Sequence, residues 1–172
     1  RNRYHFYDSR HDEHIQARHE VIEDIQEAFV KGEFELFYQP KVNIRENQCV
    51  GFEALIRWQH PERGIILPAD FLPVLEGHQL AIEVDFWVLE EVIQQLSAWK
   101  KIGIQQQISI NLTGDTLLSH TFIQKLEALM SRSPLLSASS IEFEVLETAA
   151  LEDMHKTSLI FKQCQKLGFS IA

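Results

Sequence analysis

Four acidic or amide side chains fall within short runs of β-forming residues: Glu53 in GFEALIRW, Asn111 in SINLT, and Glu144 with Glu147 in EFEVLET. Carboxylates and an amide carbonyl, with no thiolate or imidazole alongside, suit a hard divalent cation, Mg²⁺ or Mn²⁺, better than zinc. Such an ion would let a chain of net charge −9 hold a phosphate ester. The same acidity argues against broad binding of DNA, RNA or anionic membrane through surface basicity. Each residue also has a plainer alternative. Glu53 would serve as a solvent-facing strand residue paired with Arg57, a surface ion pair worth under about 1 kcal/mol. Asn111, just before Thr113 and Gly114, would cap a following helix, and Glu147 would be an acid at a helix N-terminus. Glu142 and Glu144 alternate with Ile141, Phe143 and Val145, as a half-buried strand requires. Taken one at a time, these residues define an α/β domain with a candidate metal site. The eight histidines include no HExxH pair, and Cys49 and Cys164 lie in unrelated segments, so neither a zinc site nor a disulfide framework is expected.

The elements that must position these side chains follow from periodicity. At 172 residues and 45% hydrophobic, the chain has material for one domain with a real core. It contains no apolar run of the roughly 18 residues that would span a bilayer, and its start lacks the apolar stretch of a signal peptide. A soluble, cytoplasmic domain is expected. Ile15, Ile22, Ile25 and Phe29 recur at helical spacing, and Gly32 ends that helix. FELFYQPKVN and QCVGFEALIRWQ read as a hairpin turning at Arg45, Glu46 and Asn47. HPERGIILP reads as a loop that includes His60. Pro68 opens a short helix, and Ile82, Phe86, Leu89, Val92, Ile93, Leu96 and Trp99 line a long one that Gly103 closes. Strands QISINLT, SIEFEVLET and FSIA then alternate with helices, which indicates βαβ units and a parallel sheet. Ligands of such folds gather at the strand ends. A (β/α)₈ barrel takes roughly 250 residues, so the chain is expected to stop partway through one.

FELFYQPKVNI, GFEALIRWQHPERGIILPADFLPVLE, ISINLT and IEFEVLETAA, in that order, resemble the EAL domain family of cyclic di-GMP phosphodiesterases, whose name motif is matched by Glu53-Ala54-Leu55. The resemblance covers residues 33 to 172. It implies an α/β fold, the N-terminal portion of a modified TIM (β/α)₈ barrel with an antiparallel first strand. It also implies Mg²⁺- or Mn²⁺-dependent hydrolysis of cyclic di-GMP to linear pGpG in bacterial second-messenger signalling. Carried onto this sequence, Glu53, Asn111 and Glu144 would be the metal ligands, and Glu147 would steady a neighbouring active-site loop. Gln39, Leu55 and Arg57 would contact the nucleotide, with the Arg57 guanidinium at a phosphate.

Departures from the family pattern are specific. The chain reaches Ala172 before the family's DDFGTG motif, so this fragment is expected to hold at most half a metal site and to be inactive by itself. Leu146 stands where threonine is usual, and VLEGHQL replaces AEETGL. RNRYHFYDS resembles the closing strand of GGDEF domains. Residues 1–10 therefore read as the tail of a preceding domain, residues 11–32 as a linker helix that would pair in a homodimer, and residues 33–172 as a truncated EAL domain. That arrangement implies a covalently linked upstream regulatory domain, in a parent protein free in the cytoplasm or attached to the inner membrane. The alternative is a degenerate EAL domain that acts as a cyclic di-GMP receptor or dimerisation module without catalysis.

Overall fold

The structure, a computed structural model, describes residues 9–145 and 153–172, with side chains from residue 16 onward. Strands β1 (Phe34–Asn43) and β2 (Gln48–His60) form an antiparallel hairpin. Its turn is built by Asn43, whose Oδ1 accepts the N–H groups of Arg45 and Glu46, and by Asn47 in the left-handed region at φ 50°. Beyond the hairpin the sheet is parallel. β2 pairs with β4 (Gln107–Leu112), β4 with β5 (Ile141–Val145), and β5 with β6 (Ser170–Ile171), giving the order β1-β2-β4-β5-β6. The expected architecture, one antiparallel strand followed by parallel ones, is what the chain adopts.

One sequence expectation is corrected here. HPERGIILP is not a simple loop: β3 (Gly64–Ile66) folds back antiparallel on the end of β2, pairing Trp58 with Ile66. His60 belongs to β2, and its Nδ1 accepts the N–H groups of Glu62 and Arg63, both at 3.1 Å, which closes the reversal. Three residues are too few to show an alternation, so prolines and glycine dominate the local reading.

Helices α2 (Pro68–Phe71) and α3 (Gln79–Lys101) lead into β4; α4 (Gly114–Leu118) and α5 (Phe122–Ser131) lead into β5; α6 (Met154–Lys166) leads into β6. Gly103, at φ 82°, reverses the chain after α3 as only glycine does without strain. One face of the sheet supplies the core, where Ile56, Ile110, Ile141 and Phe143 pack beneath Leu89, Val92 and Leu126. Period-two alternation sends the intervening residues to the other face, where β2 displays Glu53, Leu55 and Arg57, all half-buried. That second face is the inner wall of the partial barrel.

Helix α1 (Ser9–Lys31) packs its C-terminal half onto the same body. Ile22, Ile25 and Ala28 are buried, and the Phe29 ring meets Phe34 and Trp87 at 5.2 and 5.8 Å. Arg18 donates to the carbonyl oxygens of Val74 and Glu76, at 3.0 and 2.6 Å. Among the described residues, no helix is long and apolar enough to cross a membrane.

The two thiols sit in opposite environments. Cys49 is exposed, whereas Cys164 is fully buried and burial pushes its thiol up to about 11. Alkylation of the native protein by iodoacetamide at pH 8 is therefore expected to mark Cys49 and spare Cys164, as read by peptide mass spectrometry. Comparable labelling of both before unfolding would contradict the buried position of α6.

Candidate functional site

The inner face of the sheet collects the polar residues of five strands by register alone. On β1 the face carries Gln39 and Lys41; Gln39 lies opposite Glu53, and Lys41 opposite Gly51. Across β2, Glu53 pairs with Ser109 of β4, Ser109 with Glu142 of β5, and Glu142 with Ser170 of β6. One step further along, Asn111 pairs with Glu144. Parallel pairing makes these residues neighbours at about 4.8 Å strand spacing, with Asn111 and Glu144 next to the C-terminal ends of β4 and β5.

Glu53 and Asn111 are in direct contact, with Asn111 Nδ2 donating to Glu53 Oε1 at 2.9 Å. The amide nitrogen is thereby committed, which leaves the amide oxygen as Asn111's donor toward a cation. Asn111 is not the helix cap that its place before Gly114 also suggested. It remains in the β4 ladder, and Thr113 caps α4, its side chain accepting the N–H of Thr116.

Glu144, adjacent to Asn111 in register, is held instead by Lys41, whose Nζ lies 2.5 Å from Glu144 Oε1. The same ammonium contacts Glu142 Oε2 at 3.1 Å and Ser109 Oγ at 2.5 Å. Ser109 in turn donates to Glu142 Oε2 at 2.6 Å. The Ser109 hydroxyl and, after it, the Lys41 ammonium hold the Glu142 carboxyl below its usual range against the opposing cost of burial. For Lys41, burial works to lower the pKa, but the hydrogen bonds and charges of Glu144 and Glu142 outweigh it and raise it.

Lys41 reaches these partners from an edge strand by crossing β2 at Gly51, which puts no side chain in its way. The glycine answers a second need as well. A Cβ there would come within 2.8 Å of the Gln107 carbonyl oxygen.

Arg57 and Leu55 continue the same face of β2, opposite Glu35 and Phe37. The Arg57 guanidinium lies 5.5 Å from the centre of the Phe37 ring, and Nη1 donates to the Ile56 carbonyl at 2.8 Å. The ion pair with Glu53 that the sequence also allowed is not formed. Four residue steps along the strand separate the two by about 13 Å. Glu147 and Leu146 lie outside the described residues.

The turn after Asn111 is pinned from α3. Asp85, 8% exposed, accepts the backbone N–H of Thr113 at 2.9 Å and its hydroxyl at 2.7 Å. Burial pushes the Asp85 carboxyl up, and hydrogen bonds from Thr116 and Thr113 oppose it. On the far side of the turn, Asp115 accepts the N–H of Gly77 at 3.0 Å.

Four contributors escaped the sequence reading. Lys41, Ser109 and Glu142 share strand parity with Gln39, Asn111 and Glu144, and that parity is the signal that would have found them. Asp85 interrupts the apolar stripe of α3 three residues after Ile82, and a charge on a buried stripe needs a partner. A concavity of about 240 Å³ between Leu96, Lys100, Ile104 and Leu136 lies at the opposite end of β4 from Asn111 and offers no carboxylate. Among the described residues, no three carboxylates, imidazoles or thiolates converge on one point. The candidate donors are two carboxylates and an amide, and one of those carboxylates is engaged by Lys41.

Comparison with known proteins places the fold in a family. The EAL domain family model covers residues 22–172. The chain is 30% identical over 173 residues, all of its length, to MucR of Pseudomonas aeruginosa, a bifunctional diguanylate cyclase/cyclic di-GMP phosphodiesterase. It is 30% identical over 139 residues, 81% of its length, to a second protein of that organism named as a cyclic di-GMP phosphodiesterase. The chain spans about a quarter of these relatives, 25% and 24% of their lengths. Its fold superposes on the MucR phosphodiesterase in complex with cyclic di-GMP with a TM-score of 0.83 at 30% identity, covering 88% of this chain and 62% of that one. The EAL enzyme Bd1971, in its cAMP- and cyclic-di-GMP-bound form, matches with a TM-score of 0.83 at 26% identity, covering 91% of this chain and 44% of that one. With its family motif carried on β2, its antiparallel opening hairpin and a family match over most of its length, the chain belongs to the EAL domain family.

Proposed function

We propose that the domain formed by this chain within its full-length protein hydrolyses cyclic di-GMP to pGpG, using Mg²⁺ or Mn²⁺. The observation that carries the reading is the row of oxygen donors Glu53, Asn111 and Glu144 on three adjacent parallel strands, with Arg57 on the same inner face. Their chemistry fits a hard cation: all three offer oxygen, and Asn111 already orients toward Glu53. When bound, such an ion polarises a phosphoryl oxygen and makes water a competent nucleophile near neutral pH.

The remaining tasks belong to the chain. Glu53, Asn111 and Glu144 would hold the ion, and Glu147 would steady the adjoining loop. The Arg57 fork takes paired phosphate oxygens, its position fixed by Phe37 and the Ile56 carbonyl. Gln39 and Leu55 border the nucleotide. In the full protein the domain works in the cytoplasm, covalently joined to an upstream regulatory domain and paired through α1 in a homodimer.

The test is incubation of the full-length protein with Mg²⁺ and cyclic di-GMP, followed by chromatography of the nucleotides. Linear pGpG is the expected product. Tight binding without turnover would overturn the enzymatic reading in favour of a receptor, and absence of both would remove the nucleotide from the account.

A further inference from the structure

The Lys41 ammonium is an unusual occupant of an inner face that is otherwise built to collect oxygen atoms. It has three protons and three acceptors, Ser109 Oγ, Glu142 Oε2 and Glu144 Oε1, so its hydrogen bonding is complete. Two of those acceptors are joined to each other, because Ser109 donates to the same Glu142 oxygen that Lys41 touches. Lys41 therefore keeps a Ser109–Glu142 anchor if Glu144 leaves it. Glu144, by contrast, has this ammonium where Asn111 and Glu53 would want a shared cation.

The charge balance points the same way. Within the cluster around Lys41, Glu53, Glu142 and Glu144 bring three negative charges and Lys41 brings one positive, which leaves two; further along the face Arg57 lies opposite Glu35 and the two offset each other. One divalent ion neutralises that remainder with Lys41 in place, and a lysine-free wall would attract the ion more strongly.

We propose that Lys41 is the resident counter-ion of Glu144 and competes with the divalent cation for it, so that metal loading requires Lys41 to release Glu144 and retreat to Ser109 and Glu142. The proposal rests on the reading of Glu144 as a metal ligand. It makes Lys41 a positioning residue that sets how tightly the site takes its ion and guards the metal-free carboxylates against mutual repulsion.

The test is Mn²⁺ binding by titration calorimetry, without nucleotide, on the full-length protein and on Lys41→Met, Lys41→Arg, Glu144→Gln and the Lys41→Met/Glu144→Gln double variant. Lys41→Met is expected to bind Mn²⁺ about tenfold tighter, a change of about 1.4 kcal/mol. Lys41→Arg, which keeps the charge, stays near wild type, and the double variant loses the gain. If Lys41→Met fails to fold, Lys41→Gln removes the charge while keeping a donor for Ser109 and carries the same expectation. Unchanged or weaker Mn²⁺ binding in the charge-removing variant, Lys41→Met or Lys41→Gln, with Glu144→Gln still impaired, overturns the competition while leaving the metal site standing. Wild-type Mn²⁺ binding by Glu144→Gln overturns the metal-ligand reading itself.

Discussion

Replacing Glu53 by alanine is expected to lower hydrolysis of cyclic di-GMP by the full-length protein by roughly 10³-fold or more, equivalent to about 4 kcal/mol of lost transition-state stabilisation. The size follows from position. Glu53 is the carboxylate in direct contact with Asn111, and it sits between Gln39 on one strand and Ser109 on the other. Its side chain is half-buried on the inner wall, on the face opposite buried Ala54 and Ile56, so melting temperature should barely move. Glu53→Gln keeps the shape and removes the charge, and is expected to lose nearly as much. Formation of pGpG under single-turnover conditions reads both variants, with circular dichroism as the control. Activity within about tenfold of wild type for either one would exclude Glu53 from the chemistry.

Phe143→Ala is expected to cost about 3–5 kcal/mol of stability, measured by urea unfolding. Phe143 is 1% exposed, stacked on Phe169 at 5.0 Å and edge-on to Phe122 at 6.0 Å. It stands between Glu142 and Glu144, so the cavity left behind would loosen the strand that carries both carboxylates. Its backbone carbonyl also accepts the Ala172 N–H at 3.0 Å, tying β5 to the β6 edge. Hydrolysis should therefore fall along with stability, in contrast to Glu53→Ala. A loss under about 1 kcal/mol would mean that the aromatic cluster does not hold β5 in place.

Much of this was legible from alternation. Glu53, Leu55 and Arg57 are spaced by two in a run of β-formers, so one face had to carry all three; the structure agrees, and it buries Ala54, Ile56 and Trp58 on the other. The long helix before β4 was equally readable, because its stripe from Ile82 to Trp99 never loses phase. The contacts between elements were less accessible. Lys41 looked like one basic residue in a strand, and its three partners lie 68 to 103 residues away. Asn111 was ambiguous because amides both cap helices and ligate cations. The tertiary placement of Thr113 against Asp85 moves the cap two residues on and so excludes that role for Asn111. Short β3 escaped because three residues leave no period to detect.

Gly51 sits where two demands meet that have nothing to do with each other. The backbone of β4 passes so close that a methyl group would press on the Gln107 carbonyl, and the Lys41 stem needs the same vacancy as its passage. Strand spacing and counter-ion placement are thus tied to one hydrogen atom. A lineage of this chain could trade Lys41 for a neutral residue without disturbing the sheet, but it could not fill position 51 without prying the two strands apart and stranding the lysine on the wrong side of the breach.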